Sequence, residues 1–269
     1  MTRITRPLKV MCMLSIALAL LACLSACQDI IELEVQDADA AIVITGEITN
    51  RHQAHDIRVY RTVPVSSEGT SMDPVSAAQV EVTDQTKRSY PFYEVEPGLY
   101  RSNQFRGVIG RTYHLQVQVD GEVFEAVSTM SPTVMVDSIG TGTNDFIGDD
   151  GMFITLKFRD PEGEPNYYRY TIAVNDSLPR FVSVFDDKFN DGLSVTHELI
   201  NWDQPLKKGD RVLIQRQHID EQVFRYWRAI SSTNPGAAAP ANPPSNISNG
   251  ALGFFSAQSI NEYIVHVPE

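Results

Sequence analysis

The chain has 269 residues, 42 % of them hydrophobic, and its 34 acidic side chains outnumber the 22 basic ones to leave a net charge of −12. That balance argues against a nucleic-acid partner and against a polybasic hold on anionic lipid, both of which need a positive surface. Three cysteines are too few for a disulfide-dense scaffold.

Arg3, Arg6 and Lys9 precede the uncharged run "VMCMLSIALALLACL" (10–24). A basic start and a short apolar core have the proportions of a secretory signal, and the run is too short to span a bilayer. Its end, "LSAC" at 24–27, resembles the lipobox of bacterial lipoproteins, with small residues between a leucine and the cysteine that becomes the first mature residue. Residues 1–26 are therefore expected to be a lipoprotein signal peptide, with Cys27 the lipidated residue. Cys23 is the poorer choice, because the bulky Leu21 stands where a small residue is preferred. Two or three acyl chains on Cys27 would anchor the protein to the membrane where one would not. Cys12 and Cys23 would leave with the signal, so no thiol would remain for a disulfide, a zinc site or nucleophilic catalysis. Removal of 1–26 takes three positive charges and no acid, which makes the mature chain more acidic still. Residues 27–40 read as an acidic tether carrying Asp29, Glu32, Glu34, Asp37 and Asp39. That composition suits a solvated spacer, and it also resembles the surface-export signals of Bacteroidota lipoproteins. The expected address is the outer membrane, on its periplasmic or cell-surface face.

The rest is expected to be all-β, in two β-sandwich domains: an immunoglobulin- or transthyretin-like one over 41–130, and a C-terminal one over 133–269 with a short amphipathic helix. "AIVITGEI" (41–48), "HDIRVYRTV" (55–63) and "AAQVEVTD" (77–84) are short runs rich in Val, Ile and Thr. In "TYHLQVQVDGEVFEAV", Tyr113, Leu115, Val117 and Val119 alternate with polar residues, which predicts one buried and one wet face. Asp120-Gly121 supplies the turn of a two-residue hairpin, and Pro97-Gly98 suits a type II turn. "STMSPTVMVDSIG" (128–140) reads as the joint. Five further strands are expected at 151–160, 166–175, 180–187, 193–200 and 209–219. In them Met152, Ile154, Leu156 and Phe158 alternate, as do Tyr168, Tyr170, Ile172 and Val174. Asp220 can cap a helix over 221–232, whose Val223, Trp227 and Ile230 fall on one stripe. That stripe would lie on the open sheet as a lid, or else face a partner. The "NPGAAAPANPPSNISN" stretch (234–249) has the composition of a linker. Phe254, Phe255 and an alternating "NEYIVHV" follow it, so it is expected to cross the sheet in an ordered way before a last strand.

Familiar catalytic spacings are absent: no Gly-x-Ser-x-Gly, no His-Glu-x-x-His, no phosphate-cradling Gly-rich loop. The six histidines are scattered. His114 and His218 sit in strand patterns and are expected to face solvent, and His52 with His55 is a weak metal pair. No cofactor and no catalytic residue is expected, and the protein reads as a non-enzyme. Acidic loops "NDFIGDDG" (144–151), "DPEGEP" (160–165) and "FDDKFNDG" (185–192) have the oxygens that calcium takes, with Asp186, Asp187 and Asp191 the ligand candidates. The last loop departs from EF-hand spacing, and structural turns, ordinary in acidic secreted β proteins, are the better explanation of all three. Tyr167, Tyr168, Tyr226 and Trp227 are the candidates for an aromatic ligand-binding platform.

The series "DPEGEPNYYRY", "FDDKFNDG", "LKKGDRVLIQ", "FRYW" and "NPPSNISNGALGFFSA" resembles, in order, the Bacteroidota outer-membrane lipoproteins grouped as domain-of-unknown-function 4249. "IVITGEITN", "VSAAQVEVTD", "GLYRS" and "FRGVIGRTYHLQV" extend the resemblance to the first half. It implies a two-part β lipoprotein associated with a TonB-dependent transporter and its plug extensions, and it carries over no functional residue. The expected function is thus an accessory or binding partner of a TonB-dependent nutrient-uptake system. The alternative is a stand-alone surface protein that binds glycans or peptides. "DSI" (137–139) and "DSL" (176–178) are similar to the O-glycosylation pattern of the same organisms, and serve equally well as turn serines.

Overall fold

The computed structural model describes residues 40–63, 72–143, 151–202, 205–232 and 242–269. Its strands are β1 (Ile42–Thr49), β2 (Asp56–Thr62), β3 (Met72–Pro74), β4 (Gln79–Asp84), β5 (Ser89–Glu96), β6 (Leu99–Ser102), β7 (Thr112–Val119) and β8 (Glu122–Thr129). They continue as β9 (Ser138–Thr143), β10 (Met152–Arg159), β11 (Tyr167–Val174), β12 (Arg180–Asp186), β13 (Ser194–Leu199), β14 (Arg211–Ile219) and β15 (Leu252–His266), with one helix, α1 (Glu221–Ser232), before the last strand. Among the described residues the protein is all-β apart from that helix. Among the described residues no helix is long and apolar enough to cross a membrane.

Twelve strands form one sheet in the order β12-β11-β14-β15-β1-β2-β6-β5-β4-β7-β8, with β3 beside β2, and β13-β10-β9 form a second, smaller sheet. The expected β7–β8 hairpin is present. Asp120 and Gly121 both have positive φ (51° and 88°), as a two-residue turn of this kind requires. Gly98, at φ 72°, turns β5 into β6. Tyr113, Leu115 and Val117 point inward while His114 and Gln116 are exposed, so the alternation in the sequence becomes a buried and a wet face.

Two cores result. The first gathers Ile44, Ile48, Val59, Val82, Tyr100, Tyr113, Leu115 and Phe124. The second lies between the sheets and gathers Ile154, Leu156 and Phe158 from β10, Tyr168, Tyr170 and Ile172 from β11, and Val212 and Ile214 from β14. The cores are not separate bodies, because β15 belongs to both. Its first half pairs in parallel with β1 (Val43↔Leu252 to Thr49↔Gln258), and its second half pairs antiparallel with β14 (His218↔Ser259 to Arg211↔His266). Ile247, Ala251, Phe255 and Ala257 therefore pack in the first core, well inside the stretch assigned from sequence to the second domain. The described residues from 40 to 269 hold together as one unit.

The part of the proline-rich crossing that is described, 242–249, is ordered along β8. The Ser248 amide donates to the Glu125 carbonyl at 2.8 Å, and the Ile247 side chain is buried. Asp220 caps α1 by accepting from the Val223 amide at 2.9 Å, and Ser128 donates to its other oxygen. The helix buries Val223 and Phe224, and with them Trp227 in part, against Phe254, Tyr167 and Val184. It lies on the outer face of β11, β12 and β15. Ile230, expected on the buried stripe, is exposed, because the packing surface ends one turn earlier.

Candidate functional site

Strand alternation decides which of the sequence candidates can act together. Neighbouring residues of a strand point to opposite faces. Tyr168 thus enters the second core at 1 % exposure, while Tyr167 turns to the helix and its ring lies 5.1 Å from that of Phe224. The four-residue platform is therefore divided, and Tyr168 is no part of it. Tyr226 and Trp227 remain together on α1 with rings 5.6 Å apart. They wall a cleft of about 530 Å³ where α1 and β11 meet β1, β2 and β15.

The floor of this cleft is ionic. Arg169, on β11 and 8 % exposed, lays its guanidinium 3.8 Å from the Trp227 ring. Its Nη1 donates to Glu47 Oε1 on β1 and to Gln217 Oε1 on β14, each at 2.8 Å. Gln258 on β15 donates to the other Glu47 oxygen at 3.1 Å. One ion pair thus spans four adjacent strands, β11, β14, β15 and β1, beneath the helix. Arg169 Nε and Trp227 Nε1 are buried without a hydrogen-bond partner. His55, at the other wall, donates from Nε2 to the Phe105 carbonyl at 3.2 Å, which leaves Nδ1 as its unprotonated, unpartnered nitrogen. Burial holds its pKa below the ordinary value, against the opposing pull of Phe105 and Asp56, so it is neutral at pH 7. Asp56 is engaged bidentately by Arg101 at 2.6 and 2.8 Å. A larger hollow of about 650 Å³ lies between β8, α1 and 244–248, and no aromatic side chain lines it.

Sequence reading locates Tyr226 and Trp227 and names His55 only as half of a metal pair, but misses Arg169, Glu47 and Gln217. The one local signal was an arginine inside the apolar run "NYYRYTIAV", where a buried charge needs a partner.

The second core holds a separate polar group. Arg216 is fully buried, 3.9 Å from the Phe158 ring and 4.2 Å from that of Tyr168, and donates to the Val134 carbonyl at 3.0 Å. His197 Nδ1 meets the Tyr170 hydroxyl at 2.9 Å, and its ring stacks on Phe185 at 4.0 Å. His218, expected at the surface, is 1 % exposed and faces Tyr168 and Asn261. The register of β14 corrects that expectation, because Val212, Ile214, Arg216 and His218 share the core-facing side. Burial first, and the Arg216 charge second, push both histidines down to about 3. His114 is exposed as expected. His52 is exposed, while His55 is buried and turned to the Phe105 carbonyl.

Of the acidic candidates, Asp187 and Asp191 come together, but Asp186 does not join them. It points the opposite way from Asp187 and faces Arg228 of α1 at 3.5 Å. Its place is taken by Asp160, from the "DPEGEP" loop. Cys27 and most of the 144–151 loop lie outside the described residues.

Fold and cleft together define a two-lobed, all-β protein whose lobes share one strand and whose seam carries an aromatic-walled, ion-paired cleft. The chain belongs to the family described as "Domain of unknown function (DUF4249)", whose model matches residues 28–264. Among curated proteins, none matches the chain.

Proposed function

We propose that this is a non-enzymatic, lipid-anchored binding protein of the outer membrane that captures a glycan or peptide in the seam cleft and serves a TonB-dependent uptake system. The observation that carries the binding reading is the cleft of about 530 Å³ with Trp227 and Tyr226 against the Arg169–Glu47 pair. Aromatic walls beside a few fixed polar groups are the usual make-up of a site for a small organic ligand. The acylated Cys27 and the transporter partner rest on the signal-like N-terminus and on the resemblance described above. The burial of His55, His197 and His218 as neutral rings favours binding over acid–base chemistry.

The chain has two tryptophans, and Trp202 is 65 % exposed while Trp227 is partly buried, so a ligand in the cleft should alter the Trp227 emission selectively. Titration with oligosaccharide and peptide panels should yield a saturable change. Trp227→Ala removes the fluorescent reporter, so its binding is followed by calorimetry, and it should be weaker at least about tenfold, a loss of roughly 1.4 kcal/mol. Panels that leave the emission unchanged, or an alanine variant that binds as well, would defeat the cleft assignment. Cells fed labelled palmitate should label the protein but not its Cys27→Ala variant, and the variant should leave the membrane fraction. Detergent pull-down should recover a large β-barrel transporter; repeated recovery of the protein alone would reject that part.

A further inference from the structure

We propose that Asp160, Asp187 and Asp191 form a calcium site that staples the two sheets of the second lobe together at one end. The site lies apart from the seam cleft and does not depend on its role.

The topology places it. The 160–166 loop leads from β10 in the small sheet to β11 in the large one, and the 187–193 loop leads from β12 in the large sheet back to β13 in the small one. These two connections between the layers pass the same end of the lobe, and they are already laced to each other. The Asn166 amide donates to Asp187 Oδ2 at 2.8 Å, and the Gly163 amide to Asp191 Oδ1 at 2.7 Å. The Asp160 amide donates to the Leu193 carbonyl at 2.9 Å, and the Asp187 amide to the Asn166 carbonyl at 3.2 Å.

One ligand oxygen from each of the three carboxylates lies within 4.8 Å of the others. Two oxygens bound to one calcium, each about 2.4 Å from it, stand no farther apart than about 5 Å. Clustered acids on turns are common in acidic proteins and alone would mean little. Asp160 supplies an independent sign. It is 2 % exposed, its Oδ1 accepts from the Tyr168 hydroxyl at 2.8 Å, and its Oδ2 is buried with no partner at all. Asp187 is 9 % exposed. A desolvated carboxylate with an idle oxygen beside two more carboxylates is an unfavourable arrangement until a cation joins it. Burial raises the Asp160 pKa against the hydrogen bond from Tyr168; the charges of Asp187 and Asp191 add to the rise, and Arg216 opposes it weakly. Among the described residues no lysine or arginine forms an ion pair with any of the three. Oxygen-only ligands from carboxylates and turn backbone suit a hard cation that tolerates irregular geometry, which is calcium rather than zinc or copper.

The test is calorimetric titration of the full-length, detergent-solubilised protein with calcium chloride after chelator treatment, paired with thermal unfolding. One calcium per chain is expected, with the unfolding midpoint raised by about 5–10 °C at a hundredfold excess over Kd. Asp191 is exposed, so Asp191→Asn should fold normally and bind calcium at least about tenfold more weakly. Glu162→Gln removes an exposed charge from the same region and should change nothing. Absence of both heat and midpoint shift in the unmodified protein would overturn the site. So would equal losses in the two variants, which would reduce the effect to surface charge.

Discussion

Gly253→Ala should be among the most damaging single substitutions in this chain, with a loss of roughly 3–5 kcal/mol in unfolding free energy. Gly253 has φ +96°, and a methyl group on its Cα would stand 2.0 Å from the Ile44 carbonyl oxygen and 2.9 Å from the carbonyl carbon. Those are backbone atoms of β1, and β1 is held on its far side by β2, where Ile44 pairs with Val59. Neither strand can yield without breaking a ladder. The backbone conformation alone costs an L-residue about 1–2 kcal/mol. Each ladder hydrogen bond lost is worth about 1 kcal/mol more, and the clash lies at the start of the parallel β1–β15 pairing. Gly250 provides the control: its φ is +72°, but nothing stands within 4 Å of an added Cβ, so Gly250→Ala should show only the conformational cost. Urea unfolding of both variants measures the difference. Equal losses would mean that the strands accommodate the methyl group and that the seam is looser than its geometry indicates.

That seam is also where the sequence stops being informative. The β7–β8 hairpin was legible because its apolar residues alternate and Asp120-Gly121 marks the turn. Helix α1 was legible because Asp220 and the spacing of Val223 and Trp227 are local signals. The joint read over 128–140 takes in the first three residues of β9, whose "SIGTGT" carries no strand alternation. Gly142 is there to make room: a Cβ would meet the Phe153 ring at 2.4 Å. β5 was missed because Pro91 interrupts it. β15 cannot be parsed locally. From Gly253 to Ser259 every residue is buried, so the period of two vanishes where the strand passes between neighbours. Nothing in that run says that Ser256 and Gln258 serve one lobe and Tyr263 the other. The site behaves likewise. Tyr226 and Trp227 are neighbours in sequence, whereas Glu47 and Arg169 are 122 residues apart and meet only because β15 brings β1 and β14 into one sheet. Asp160 joins Asp187 and Asp191 for the same reason, through two crossovers between layers that no local pattern encodes.

The second large effect is acid lability between pH 6.5 and pH 5. His197 and His218 lie in the second core with folded-state pKa values of about 3, against 6.5 for an exposed imidazole. The folded protein therefore binds fewer protons than the unfolded chain throughout that interval, and stability must rise with pH across it. The contribution is complete above pH 6.5 and is lost progressively as the pH falls toward 3. At pH 5 each histidine should have removed about 2 kcal/mol, and the pair about 4 kcal/mol. Asp160 and Asp220 act in the opposite sense. Burial raises their pKa values, so their folded forms hold a proton more tightly and partly offset the loss once the pH falls into their range. Asp84, held at about 2 by hydrogen bonds from Thr86, Arg88 and Tyr90 against its own desolvation, adds to acid instability only below about pH 4. The interval above pH 5 therefore belongs mainly to these two imidazoles, with His55, whose pKa burial also lowers, acting in the same sense. His197→Asn keeps an acceptor for the Tyr170 hydroxyl, and His218→Gln keeps one for the Val134 amide, which donates to His218 Nε2 at 3.4 Å. Each should lower stability at pH 7.5 through imperfect packing and yet remove about half of the slope between pH 6.5 and pH 5. Urea unfolding at four pH values, with calcium held constant, separates slope from offset. If the double variant retains the full slope, His197 and His218 are not its source.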